Sequence, residues 1–359
     1  MKRSILLLFL ASVFVLCKAN DGVFYASGNT LIPVVETQVE LKREFLKLKR
    51  DGEYMVVDVD FTFFNPGEAK EVIVGFVTPP AGGDISDDEA EHPQVSGFSV
   101  KVNGESLEYK ITRMEDTGFQ LPDQVARGDD FVYYFDVKFE KGETRIQHRY
   151  RYRGGSSVEL LSDFDYRITT GKMWANGEIG EFNLEIDMGD GAYYSIPAQF
   201  MEETEEALPW EPLGGSIISK PMKSFFESTV CMVKQYGKGV SLKLEHFKPD
   251  YDIFVAEYQP FNEVYLWTEN REENPFIDEP YFLVPGYGSE SELHELDKET
   301  IALIRNYFFA KYGYAFKSKK YQQVFEKFIW YKAIPGKKVV LPKEEQEYVE
   351  LLKKVEDDL

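Results

Sequence analysis

The chain has 359 residues, 43% of them hydrophobic and 29% charged, with a formal net charge of -21 and two cysteines. Acidity on this scale repels polyphosphate and excludes nucleic-acid binding by the bulk of the chain, and so few cysteines exclude a small disulfide-built scaffold. The length predicts two or three domains stabilised by core packing.

Lys2 and Arg3 precede an apolar run over residues 5–16 that only Ser12 interrupts, and Cys17-Lys18-Ala19 sets small residues two apart just after it. This pattern predicts a secretory signal over residues 1–19, cleaved after Ala19. The run is too short and wrongly flanked for a stable membrane span. A competing reading lipidates Cys17, against which stands the bulk of Leu16 before it. The expected location is therefore outside the cytoplasm, periplasmic or extracellular. Cys231 is then the single thiol of the mature chain. It lies in the apolar run Thr229-Val230-Cys231-Met232-Val233 and reads as a small buried hydrophobe rather than a nucleophile.

From residue 23 to about 282 the pattern is that of β structure. Val57, Val59, Phe61 and Phe63 share one face of a strand. Phe131, Tyr133, Phe135, Val137 and Phe139 alternate with Val132, Tyr134, Asp136 and Lys138. His148, Tyr150 and Tyr152 alternate with Arg149, Arg151 and Arg153, and Val240, Leu242, Leu244 and His246 with Ser241, Lys243 and Glu245. Period two places one face on a core and the other in water. Asp51-Gly52, Asn65-Pro66-Gly67, Asn103-Gly104 and Asp190-Gly191 supply the turns. The fold class expected is mostly β, one or two antiparallel β-sandwich domains followed by a small C-terminal α-helical module. The division runs 20–153 and 154–290 for the sandwiches, with a break near Arg153-Gly154-Gly155, and 291–359 for the module. One large sandwich with insertions is the alternative. Two acidic stretches, 84–91 and 202–206, read as solvated loops, since neither has the ordered spacing and glycine of a calcium loop.

After Pro285-Gly286 the pattern turns helical. Asp297 caps a helix that carries Ile301, Ile304, Phe308 and Tyr312 on one face and stops at Gly313. Ser318 opens a short second helix with Tyr321, Val324, Phe325 and Phe328 inward. Pro342 opens a third with Tyr348, Leu351, Leu352 and Val355 inward. Eleven of the 25 residues from 307 to 331 are aromatic, and nine basic residues against one acid lie between Arg305 and Lys338. A module of this size needs aromatics to fill its core. Asn306 reads as a fold-fixing residue bonded to backbone of an adjoining loop, and Gly313 as a left-handed turn residue.

The segment resembles the YARHG domain, an extracellular bacterial family named for Tyr-Ala-Arg-His-Gly. The resemblance rests on Arg305, Asn306, Ala310, Gly313, Tyr314, Phe316, Phe325, Trp330 and Tyr331 and covers about residues 293–357. Phe309, Lys311 and Tyr312 stand where the family has Tyr, Arg and His. The body is similar, more loosely, to secreted bacterial β-sandwich proteins of a domain family of unknown function, through Phe61-Thr62-Phe63-Phe64-Asn65 and the run from Tyr166 to Trp174. Both resemblances imply an exported protein of the bacterial envelope, and neither implies an activity.

No zinc, nucleophile-elbow or phosphate-loop motif occurs. His92, His148, His246 and His294 are too scattered for a metal site. The reading is therefore non-catalytic binding or interaction, with no cofactor and no metal. In its sharp form the basic aromatic module contacts an anionic or saccharide envelope partner, or a protein. Arg305, Lys311, Lys317, Lys319, Lys320 and Lys327 would supply charge, and Tyr312, Trp330 and Tyr331 stacking faces. Two alternatives stay open: a secreted hydrolase with a carboxylate pair in the β body, and a structural tail whose basic charge docks it on the acidic body.

Overall fold

A computed structural model describes residues 30–33, 38–81, 91–119, 126–157, 160–200, 207–223, 228–260, 274–276, 280–287 and 289–359. The expected signal segment, Cys17, the 202–206 stretch and all of the 84–91 stretch but Glu91 lie outside these residues.

The body is mostly strand and is built as two layers. One layer is a single eight-stranded sheet. In spatial order it runs β13 (Glu211–Leu213), β17 (Gly239–Phe247), β11 (Ile179–Asp187), β2 (Glu40–Asp51), β3 (Tyr54–Asn65), β9 (Gly142–Arg153), β5 (Val95–Val102) and β6 (Glu105–Ser106). The facing layer is two smaller sheets. Four strands, β1 (Thr30–Pro33), β4 (Lys70–Thr78), β8 (Phe131–Phe139) and β7 (Lys110–Arg113), make the first. The second runs β10 (Leu160–Tyr166), β18 (Ile253–Tyr258), β12 (Tyr193–Pro197), β16 (Thr229–Lys234) and β14 (Ile217–Ile218), with β15 (Met222–Lys223) also on β16.

Alternation in the sequence becomes alternation in space. Val57, Val59, Phe61 and Phe63 of β3 and Tyr150 and Tyr152 of β9 are buried between the layers, while Arg149, Arg151 and Arg153 face water. The β17 pattern fails at its end. His246 has a φ of 51°, is exposed, and bonds Glu178 at 2.8 Å, so it does not continue the buried face of Val240 and Leu242. A left-handed residue rotates the strand out of its two-residue repeat.

No break in the large sheet corresponds to the boundary expected near residue 153. β11 pairs in parallel with β2, Leu184 opposite Leu46, which sews residues after 154 onto residues before it. One continuous core holds Val57, Phe76 and Phe135 together with Phe164, Tyr194 and Val255. The division has a counterpart only in the facing layer, where each expected half contributes its own sheet. A hairpin-by-hairpin reading could not see the parallel pairing, because partners so distant in sequence leave no local signal.

The core holds buried polar groups. Glu44 of β2 accepts a hydrogen bond from the Tyr166 hydroxyl at 2.9 Å, and burial pushes its carboxyl up to about 8. His148 lies edge-on to Phe61, Phe76, Phe98 and Phe135, and burial pulls it down to about 3, so it is a neutral core residue. Cys231 is a buried free thiol in β16, raised by burial and so less ionised than a free cysteine. No helix among the described residues is long and apolar enough to cross a membrane.

Candidate functional site

The C-terminal module has four helical pieces: α1 (Glu290–Leu293), α2 (Lys298–Ala310), α3 (Lys319–Phe325) and α4 (Lys343–Asp358). Asp297 caps α2 by accepting from the amides of Glu299 and Thr300 at 2.8 and 2.9 Å. Its buried stripe, Ile301, Ile304 and Phe308, meets Tyr348, Leu352 and Val355 of α4 in a second hydrophobic core separate from that of the body. Phe276 and Leu283 belong to this core, and the Tyr348 hydroxyl donates to the Phe282 carbonyl at 3.1 Å. The module thus begins before residue 291, because a small core draws in the apolar residues that lead up to it.

Gly313 adopts a φ of 78°, and a Cβ there would stand 2.9 Å from Ile334 and 3.0 Å from the Lys332 carbonyl. The turn brings Tyr314 beside Ile334, and the Tyr331 hydroxyl donates to the Tyr314 carbonyl at 2.6 Å. Ala310 and Phe316 are buried in the same core. Asn306 is buried, but its amide donates to the Ala302 carbonyl at 2.7 Å, one turn back in its own helix, and not to the adjoining loop. On a straight helix the carbonyl four residues back is the acceptor within reach of that side chain.

The aromatic residues expected as stacking faces are covered. Trp330 is 1% exposed, Tyr312 7% and Tyr331 8%. Trp330 and Tyr331 pack with Phe325, and burial pushes the Tyr331 phenol up to about 12. A ring this enclosed presents no face to a ligand. The cations divide. Arg305 pairs with Glu356 at 2.8 Å, Lys311 with Glu345 at 2.7 Å and Lys320 with Glu299 at 2.7 Å, all within the module. Lys317, Lys319 and Lys327 are exposed. Acids of α4, which follow the basic segment in sequence, fold back onto it and neutralise part of its charge.

Residues 281–357 match the YARHG domain family. In this chain the YARHG module is seated on the body. Its seat is formed by three turns at the ends of β11, β13 and β16. The Tyr236 hydroxyl donates to the Trp330 carbonyl at 2.8 Å and accepts from the Lys332 amide at 3.3 Å. Lys234, itself buried, donates to the Gly191 carbonyl at 2.8 Å and lies 5.3 Å over the Trp330 ring. Lys332 reaches the Gly215 carbonyl at 3.2 Å, and Lys337 pairs with Asp190 at 2.8 Å. Gly191 has a φ of 83°, and a Cβ on it would meet the Tyr312 ring at 2.6 Å. Tyr312 occupies the motif position where the family has His. The sequence marked Asp190-Gly191 as a turn, but carried no sign that this turn abuts Tyr312.

Across the whole chain the fold is similar to a solved structure from Legionella pneumophila described as a candidate nutrient binding protein. The two share 17% identity, the match covers 92% of this chain and 98% of that one, and the TM-score is 0.51. Similarity to leukotriene A4 hydrolase of Saccharomyces cerevisiae is slight, at 9% identity over 61% of this chain and 29% of that one with a TM-score of 0.26. No curated protein sequence matches the chain.

Proposed function

We propose that this is an exported, non-catalytic binding protein of the bacterial envelope in which the YARHG module is a structural element clamped to the β body, with ligand recognition left to the body. The observation that carries this reading is the burial of Trp330 between the module core and the seat of Lys234 and Tyr236. A residue so enclosed stabilises an interface and is not held ready for a partner. The fold likeness to a candidate nutrient binding protein accords with binding. Docking rests on aromatic burial more than on charge. Lys337 to Asp190 is the one ion pair between module and body among the described residues, and partly exposed pairs contribute about 1 kcal/mol or less. Burying one large aromatic side chain contributes about 1.5–3 kcal/mol.

The cleft that reaches Glu44 holds only about 10 Å³, and has Tyr166, Arg167 and Thr170 on its walls and no second carboxylate among the lining residues. Envelope binding of the intact chain tests the proposal. Charge reversal at Lys317 and Lys319 should leave retention on fractionated envelope unchanged. Loss of retention in that double variant would return the module to the role of ligand reader.

A further inference from the structure

The outer face of the eight-stranded sheet is not covered by any described part of the chain, and its side chains form ordered rows. Strand register sets Glu185, Lys47, Asp58, Arg149 and Ser99 in one row, then Asn183, Phe45, Asp60, Gln147 and Lys101, then Glu181, Arg43, Thr62 and Arg145. Five strands at a spacing of about 4.8 Å make the middle row roughly 19 Å long. Two open depressions of about 350 and 650 Å³ lie on this face, and both are lined by Phe45 and Asp60.

Eight of the nine charged residues in these rows are matched across strands, and Lys101 at the end of the middle row is the ninth. Glu181 pairs with Arg43 at 3.0 Å, Glu185 with Lys47 at 3.1 Å and Asp58 with Arg149 at 2.6 Å, and Asp60 is gripped by Arg145 with Nε at 2.7 Å. These four pairs sum to zero in a chain of net charge -21. Each pair fixes a carboxylate and a guanidinium or ammonium in place, and a guanidinium with five donors is not exhausted by one partner. The face therefore offers alternating acceptors and donors at set positions without a field that selects for anions or cations. Phe45 is the exception to the polar pattern. It is 39% exposed in the middle row, flanked by Asn183 and Asp60. A solvated ladder of ion pairs has no use for an exposed aromatic ring at its centre, whereas a ring bordered by fixed donors and acceptors suits a ligand with an apolar C–H face and a rim of hydroxyls.

We propose that this face binds an uncharged oligosaccharide, with a sugar ring stacked on Phe45 and hydroxyls bonded to Asn183, Asp60, Gln147 and the paired arginines. The near balance of charge gives no net field to favour a charged occupant, and the length of the row suits a chain of several sugars over a single one. The proposal rests on the reading of the protein as a binding protein whose ligand site lies in the body.

Isothermal titration of the full-length mature protein with cellohexaose, maltohexaose and a galacturonic acid hexamer tests it. The expected result is saturable binding of one neutral hexasaccharide, weakened about tenfold or more in Phe45→Ala and restored in Phe45→Trp, with both variants still folding cooperatively because the side chain lies outside the core. Equal affinity in wild type and Phe45→Ala, no binding of either neutral hexamer, or binding of the acidic hexamer alone would each overturn it. The charge-reversed Lys317/Lys319 variant separates the two claims. If that variant loses the saccharide while Phe45→Ala keeps it, the functional reading fails as well. If neither neutral hexamer binds at all and envelope retention survives charge reversal, only the sheet-face proposal falls.

Discussion

The aromatic residues of the YARHG module and Phe45 of the open sheet face stand in opposite relations to water. In the module, eleven aromatics crowd 25 residues, and those most suggestive of a binding surface, Trp330, Tyr331 and Tyr312, are enclosed. On the sheet, one phenylalanine among charged rows is exposed. Density of aromatics in a small module reports the demand for a core, since about 70 residues enclose little volume with smaller side chains. An isolated aromatic on a polar face answers no such demand.

The comparison predicts unequal costs of truncation. Trp330→Ala should lose about 3–5 kcal/mol of stability, the range for a fully buried large aromatic, and should remove the ring beneath Lys234 as well. Urea denaturation would show it, and a loss no larger than that of Phe45→Ala would break the comparison. Gly191→Ala comes next, at about 1–3 kcal/mol, because its φ of 83° is strained for alanine and its methyl group meets Tyr312. A second substitution, Tyr312→Ala, should relieve the collision but not the backbone strain, so the double variant measures the two parts separately by a cycle of denaturation midpoints.

Titration separates the buried carboxylates of the body from the capping carboxylates of the module by sign. Glu44 and Asp165 in the body are both raised to about 8 by burial, from 4.5 and 3.8. Their folded pKa values exceed the unfolded ones, so their contribution is full below about pH 4 and is lost as pH rises to 8. Glu44→Gln should flatten the fall in thermal midpoint between pH 5 and 8, and a slope unchanged by the substitution would show that Glu44 ionises freely in the fold. In the module, Asp297 and Glu292 are lowered, Asp297 by the Thr300 amide and hydroxyl and Glu292 by Ser289. Their contribution is present above the ordinary carboxylate range and is lost as pH falls through it.

The smallest effect should be that of salt. Lys337→Ala or 1 M sodium chloride removes or screens the Asp190 pair and should shift stability by about 1 kcal/mol or less.

Much of the fold was legible in local pattern. Strict alternation in β3, β8 and β9 and the caps and stripes of α2 and α4 mark elements by side-chain period alone. The parallel pairing of β11 with β2 was not legible, since register between distant strands is set by the shared core and not by neighbours in sequence. The candidate sites were legible in part. Basic and aromatic residues of the module could be named, but their pairing with α4 acids and the burial of Trp330 under Lys234 arise only from tertiary contact. Phe45 passed unmarked, because its strand reads as a solvated charged segment until Asn183, Asp60 and Gln147 are set beside it in space.

Small-angle scattering of the protein in 50 mM and 1 M sodium chloride tests the docked module most directly. A clamp of buried aromatics predicts one compact radius of gyration that is the same at both salt concentrations. A radius already expanded at low salt would contradict the account by showing a tethered module, and one that grows with salt would show a module held by charge.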